Sequence, residues 1–432
     1  SIASLFGHSS RINSIDFTKD GQKLFSVSND GTAKLWDWKN QKEIASFIGI
    51  GNDDYIIVTP DNYYMGSKGA QQGVAFKWND KLFPFDQFDL RFNRPDIVLQ
   101  RIGYADKELV NSLHLAYLKR LKKNGFTEEM LTGNFHIPEI KILTREMPVS
   151  TTNKMFRFSV EASDSEFLLD RLLIYVNDIP LWSMKGFDLK NLSVSKFTKE
   201  INVNLCQGDN KIQVSVMNQK GAESFRESFN ISYEKEIVNP DLYLVSIGVS
   251  HFQQSEYDLS FAAKDANDIS AFFKGNQNVF SKIHTVTILD SDALNSTILA
   301  AKSKLMSSKE DDVVIVFIAT HGLLDEKLNY FMATRNINFS NPSKNGLSYD
   351  DFESLFDDIP ARHKLILIDA CHSGEVDKDD QLPDQSMAMV QPDKIQNGVK
   401  SRGFKSTVNR LGLSNSFELM QEMFADLRKG TG

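Results

Sequence analysis

Cysteine is nearly absent from this chain: 432 residues hold two, Cys206 and Cys371. Two thiols cannot build the disulfide framework of a secreted scaffold, so a reducing compartment, the cytoplasm, is the expected location. Long apolar runs are missing as well. None approaches the ~20 residues that cross a bilayer, and no membrane span is expected. Excess positive charge is also lacking, the formal net charge being −8. No basic face offsets phosphate repulsion, so nucleic acid is not an expected partner. The chain starts at Ser1, and residues 1–7 lack the charged and then apolar regions of a leader. What remains is 41 % hydrophobic and 25 % charged, the balance of a globular protein. Its length suits about three domains.

Residues 7–38 read GHSSRINSIDFTKDGQKLFSVSNDGTAKLWDW. Alternating apolar positions predict three short strands, with Asp20-Gly21 and Asp30-Gly31 as turns. The opening Gly7-His8, the Asp-Gly turn and the closing Trp36-Asp37 resemble one repeat of a WD-repeat β-propeller. One blade cannot bury its own faces, so the resemblance implies neighbouring blades and a surface for protein partners. Residues 54–67 suggest another strand pair turning at Pro60-Asp61-Asn62, and a short helix is expected near Pro95. Residues 106–124 carry Leu109, Leu113, Tyr117 and Leu121 at helical spacing, with Gly125 as the stop. The cluster Lys119, Arg120, Lys122 and Lys123 reads as a solvated face at the helix C-terminus.

From 137 to 235 the period is two, in MFRFSVEA, RLLIYVND, EINVNLC, KIQVSVMN and SFNISYE. Turn signals at Asn177-Asp178, Gly208-Asp209-Asn210 and Lys220-Gly221 separate them. The pattern predicts an antiparallel β-sandwich resembling immunoglobulin-like modules, a spacer or contact surface, with Cys206 as packing. After Pro240 the pattern changes to alternating strand and helix: LYLVSIGVS, FAAKDANDISAFF, HTVTIL, then a helix capped at Asn295 or Ser296. This order predicts a doubly wound α/β domain with a mostly parallel sheet.

Two stretches of that domain carry chemistry: VVIVFIATHG (313–322) and KLILIDACHSG (364–374). Each is an apolar run of the kind buried on both faces of a parallel sheet. Each ends in a reactive side chain close to glycine, at the sheet edge where ligands bind. Cys371 is the candidate nucleophile and His321 the candidate base that makes its thiolate. The backbone amides of Gly322 and Cys371 are candidate oxyanion donors. His372 is a rival base, but consecutive residues point apart, which favours His321. The separation of His321 and Cys371, about 50 residues, is the spacing known for caspases.

Here the resemblance becomes specific. The segment from about 238 onward is similar to caspase-like cysteine peptidases. Asp369-Ala370-Cys371-His372-Ser373-Gly374 departs from the animal caspase context and looks instead like metacaspases and the bacterial caspase-homologue peptidases. In that group the acid two residues before the cysteine lines the primary specificity pocket, which Asp369 matches. A second pocket acid begins the first helix, where Asp265 is the match. The resemblance implies cleavage of proteins after Arg or Lys. Two buried carboxylates with no internal cation would need a cationic ligand to offset their desolvation.

The expected organisation is therefore a propeller C-terminal portion and bridge (1–103), a helical linker (104–136), an immunoglobulin-like β-sandwich (137–236) and a caspase-like peptidase domain (237–432). The polar stretch 375–410 reads as a loop. Its Lys378, Lys394, Lys400, Arg402, Lys405 and Arg410 would be sites for self-processing. No cofactor is called for; Asp377, Asp379 and Asp380 read as a solvated charge run, with Ca²⁺ binding, as at the acidic loops of some metacaspases, the alternative. The fold has two further strands beyond the position of Gly432, which implies a truncated domain that is inactive or needs a second polypeptide. The alternative functions are a non-catalytic scaffold on this fold, or a peptidase that prefers acidic residues.

Overall fold

The computed structural model describes residues 4–370 except 52, 53, 68, 184, 235–237, 276–278 and 328. The calls on Cys371, His372, the loop 375–410 with its basic and acidic residues, and the chain end lie outside the described residues.

The first layer is one antiparallel sheet of six strands in sequence order: β1 (Ile12–Phe17), β2 (Leu24–Ser28), β3 (Thr32–Asp37), β4 (Lys42–Ile50), β5 (Asp54–Val58) and β6 (Tyr64–Gly66). The expected second strand pair thus extends the first sheet, turning where Asn62 takes φ +70°. The Gly-His and Trp-Asp ends of the motif meet. His8 Nδ1 donates to Asp30 at 2.9 Å, so His8 Nε2 accepts the Ser26 hydroxyl at 2.7 Å, and Ser26 Oγ takes the Trp36 N–H at 2.7 Å. Along β1 every residue is exposed, Ile12, Ile15 and Phe17 included.

Two helices follow, α1 (Pro95–Ile102) and α2 (Lys107–Lys123). Asp106 caps α2 by accepting the Glu108 N–H, and Gly125 leaves it at φ +74°. Tyr117 and Leu121 of α2 pack with Leu173 and Met217 of the next module. The basic end of α2 is not simply solvated. Lys119 reaches the Lys327 carbonyl, and Lys123 pairs with Glu353 and, at 3.7 Å, with Asp350. Acids of the C-terminal domain take up charge that sequence spacing had assigned to water.

In the middle, β7 (Glu139–Ile142), β8 (Met155–Ser163), β9 (Leu169–Val176), β10 (Lys196–Asn204), β11 (Gly208–Asn218) and β12 (Glu227–Tyr233) form two sheets. Their pairing is antiparallel except for Ser150–Thr151, which runs parallel to β12. Phe158, Val160, Ile201 and Val203 of one sheet share an apolar core with Leu172, Ile174, Val214 and Ile231 of the other.

The C-terminal domain is a four-stranded parallel sheet in the order β14 (Ile283–Leu289), β13 (Leu242–Gly248), β15 (Val313–Ala319), β18 (His363–Asp369). Period-two alternation divides its side chains between two cores. Leu242, Leu244, Ile315 and Phe317 pack under α3 (Ala262–Gly275), while Val245, Ile247, Val314 and Val316 face Ile298, Leu305 and Phe352. A hairpin of β16 (Gly322–Leu324) and β17 (Tyr330–Met332) leaves the sheet after β15. α4 (Tyr349–Glu353) precedes β18 and is capped by Ser348. The helix at Asn295–Ala300 follows Leu294 with no side-chain cap; Asn295 instead donates to the Gly346 carbonyl at 3.0 Å. β15 is buried on both faces as expected. β18 is not, being the edge strand of the described sheet with its apolar residues half-covered. No described helix is long and apolar enough to cross a membrane.

Candidate active site

β15 and β18 run in register with a constant offset, Val313 beside His363 through Ala319 beside Asp369. Past its last rung the pairing continues by one bond, Thr320 N–H to the Asp369 carbonyl at 3.1 Å. There the β15 chain turns away. Thr320 Oγ1 donates to the Ala333 carbonyl at 2.7 Å, and Ala333 N–H donates to the His321 carbonyl at 2.8 Å. The hairpin thus grips both sides of His321 and sets it at the carboxyl edge of the sheet.

The imidazole is oriented from a different element. His321 Nε2 lies 2.8 Å from the Tyr257 carbonyl. A carbonyl only accepts, so Nε2 carries the proton and Nδ1 keeps the lone pair. Phe252 lies over the ring, 5.5 Å between centroids, and Phe339 meets it edge-on at 5.7 Å and 80°. Tyr257 stacks on Phe339 at 3.8 Å and 12°. None of Tyr257, Phe252 and Phe339 was anticipated. Tyr257 acts through its main chain, which any residue type supplies, so no sequence signal for it exists.

Gly322 packs directly against Tyr330. A Cβ at this position would run into the end of the Tyr330 ring and its hydroxyl, so the glycine makes room for that side chain where β17 pairs with β16. Gly248 has the parallel role at the end of β13. A Cβ there would strike the Ala262 carbonyl and Ala263 Cα, and its absence lets the first turn of α3 come down onto the sheet edge. That approach brings Asp265, in the first turn of α3, near the end of β18. Burial, and next the charge of Asp369, push the Asp265 carboxyl above its usual range. The two acids singled out from the sequence therefore share one field. Neither is the buried carboxylate expected from the sequence: Asp265 is half-buried and Asp369 is exposed, because it ends the edge strand of the described sheet.

The other cysteine is remote from this edge. Cys206 is buried, takes an Arg362 N–H on its sulfur at 3.3 Å, and has its thiol pushed up to about 11 by burial. That is inert packing, as the sequence suggested.

A parallel sheet with helices on both faces presents a histidine at its carboxyl edge, an α/β arrangement consistent with the caspase fold. Comparison with known proteins agrees: the caspase-domain family model matches residues 243–414, and the WD-domain G-beta-repeat model matches residues 1–37. The chain is a caspase-like protein with a WD repeat. A curated relative, the guanine nucleotide-binding protein subunit beta-like protein of Encephalitozoon cuniculi, is 45 % identical over 61 residues. The match takes in 12 % of this chain and 18 % of that relative, so the chain spans less than a fifth of it. Among solved structures, the fibronectin(III)-like modules of Clostridium thermocellum CbhA are 18 % identical, with 23 % of this chain and all of that one covered, at TM-score 0.18. The SrpA adhesin of Streptococcus sanguinis is 11 % identical, with 34 % and 77 % covered, at TM-score 0.19. TM-scores this low define no shared fold.

Proposed function

We propose that this protein is a cysteine endopeptidase in which His321 and Cys371 form the dyad and Asp265 and Asp369 select Arg or Lys before the scissile bond. The observation that carries the reading is a coincidence of register. β15 and β18 end side by side at Ala319 and Asp369, and in sequence His321 and Cys371 each follow their own strand end by two residues. The Nε2 proton held by the Tyr257 carbonyl supports it, since that tautomer leaves the lone pair a base needs on Nδ1.

In the proposed reaction the Cys371 thiol gives its proton to His321 Nδ1 and the sulfur attacks the substrate carbonyl. The oxyanion is met by the Gly322 and Cys371 amides, the protonated imidazole hands its proton to the leaving amine, and water releases the acyl group from the thioester. The raised Asp265 carboxyl beside Asp369 supports the pocket, because a guanidinium between two repelling acids relieves their cost. The domains are proposed with the boundaries given above, the WD-repeat and immunoglobulin-like parts being surfaces for protein partners. Self-processing within 375–410 is part of the same proposal. The test is a fluorogenic peptide assay with Arg-, Lys- and Asp-ended substrates on the protein and on Cys371→Ala. Turnover of the basic peptides that is lost in the variant is expected. Equal turnover in both proteins sinks the peptidase reading, and turnover after Asp alone sinks the pocket.

A further inference from the structure

Residues 249–259, which join β13 to α3, are closed on themselves by hydrogen bonds that converge on one side chain. Asp258 accepts the Phe252 N–H at 2.7 Å on one oxygen and faces His251 Nδ1 at 2.9 Å on the other. Leu259 N–H returns to the Ser250 carbonyl at 2.7 Å, and Tyr257 N–H to the Gln254 carbonyl at 3.1 Å. At the open end, the Ser250 and His251 N–H groups both donate to Asp290 Oδ1, at 2.7 and 2.9 Å, fixing the loop to the end of β14. The Tyr257 carbonyl that meets His321 belongs to the peptide group immediately before Asp258.

A carbonyl orients an imidazole only if its own peptide plane is held. The plane between residues 257 and 258 turns with two dihedrals, ψ of Tyr257 and φ of Asp258. The Tyr257 side is held by the ring stack on Phe339. The Asp258 side is held by its own N–H, which donates to the Ser255 carbonyl at 3.2 Å, and by a carboxylate bound at two points.

We propose that Asp258 is a positioning residue for His321: it clasps the 249–259 loop so that the Tyr257 carbonyl fixes the tautomer and plane of the imidazole. The proposal rests on the reading of His321 as the base. The charged groups around the clasp are His251, Asp258, Asp290 and Arg335. The two acids favour the protonated form of His251 and Arg335 opposes it, the balance raising its pKa, while His251 in turn lowers that of Asp258.

The experiment reads the rate of Cys371 alkylation by iodoacetamide across pH, located by peptide mass mapping, together with the imidazole ¹⁵N shifts of His321. Buried Cys206 reacts slowly and is resolved by the mapping. Relative to the unmodified protein, Asp258→Ala should slow alkylation at neutral pH by about tenfold. It should also move the pH profile toward that of His321→Ala and mix the two tautomers. Asp258→Asn, whose carbonyl still accepts the Phe252 N–H, should recover most of the loss. An unchanged profile and tautomer in Asp258→Ala overturn the proposal, even if the melting temperature falls. If Asp258→Ala does not fold, His251→Ala removes one arm of the clasp at an exposed position. A slowing of about threefold is then expected, and none overturns the proposal. Failure of the dyad itself reads differently: His321→Ala then leaves the Cys371 profile unmoved, and the tautomer in Asp258→Ala alone decides whether the clasp orients the ring.

Discussion

Asp265 sits where a carboxylate is ordinarily favoured, in the first turn of a helix, yet burial and Asp369 raise its pKa. A raised carboxylate is a cost of the folded state. The cost is present above the raised pKa, is relieved as pH falls through it, and is absent below the ordinary value of 3.8. A guanidinium ligand removes the cost only where Asp265 is ionised. An Arg-ended peptide aldehyde should therefore raise the melting temperature more at neutral pH than below the ordinary carboxylate value of 3.8, and equal shifts would contradict the shared pocket. Asp265→Asn should stabilise the free protein slightly while lowering kcat/KM for Arg peptides at least about tenfold. Stability and activity moving together would count against it. Gly322 gives a second residue-scale test. Gly322→Ala should cost about 1 kcal/mol as the end of the Tyr330 ring is turned aside, and the loss should be less than additive with Tyr330→Ala. Additive losses in chemical denaturation would mean the overlap is not the cause.

The elements that carry the site were legible because their signals are local. Apolar runs ending at Ala319 and Asp369 gave the strands, and the alternation of strand and helix gave the parallel order. Contacts between elements far apart in sequence left no such signal. The basic end of α2 looked solvated because its acids, Asp350 and Glu353, arrive from more than two hundred residues away. The half-covered state of β18 could not be read from Leu365 and Ile366 either, since burial depends on neighbours rather than on residue type. At the helix scale, Gly248→Ala should push α3 off the sheet edge, because the atoms it would meet are backbone and cannot rotate away. The expected loss is about 1–3 kcal/mol, with Arg-peptide turnover falling as Asp265 is displaced. Unchanged turnover at unchanged stability would sink that account of how the pocket acid is placed.

At the scale of the molecule, the middle module is more than a spacer. Its β10–β11 turn is fastened to the C-terminal domain just ahead of β18. Arg362 donates to the Cys206 sulfur and the Asn204 carbonyl, Gln207 N–H reaches Asp311 at 2.7 Å, and Glu310 takes Asn204 Nδ2 at 2.8 Å and Lys154 at 2.6 Å. Arg362 is buried and immediately precedes the strand that leads to Cys371. Arg362→Ala should cost about 1–3 kcal/mol and increase hydrogen exchange along both β18 and the 204–208 turn. Protection lost on one side only would deny that the two domains are held as a unit. The central claim is the dyad, and covalent labelling tests it most directly. The protein is incubated with an Arg-ended peptidyl acyloxymethyl ketone and the adduct is mapped by intact and peptide mass spectrometry. The account predicts one adduct, on Cys371, that forms much more slowly in His321→Ala and not at all with the Asp-ended reagent. An adduct that forms at the same rate without His321, or none on Cys371, would contradict it.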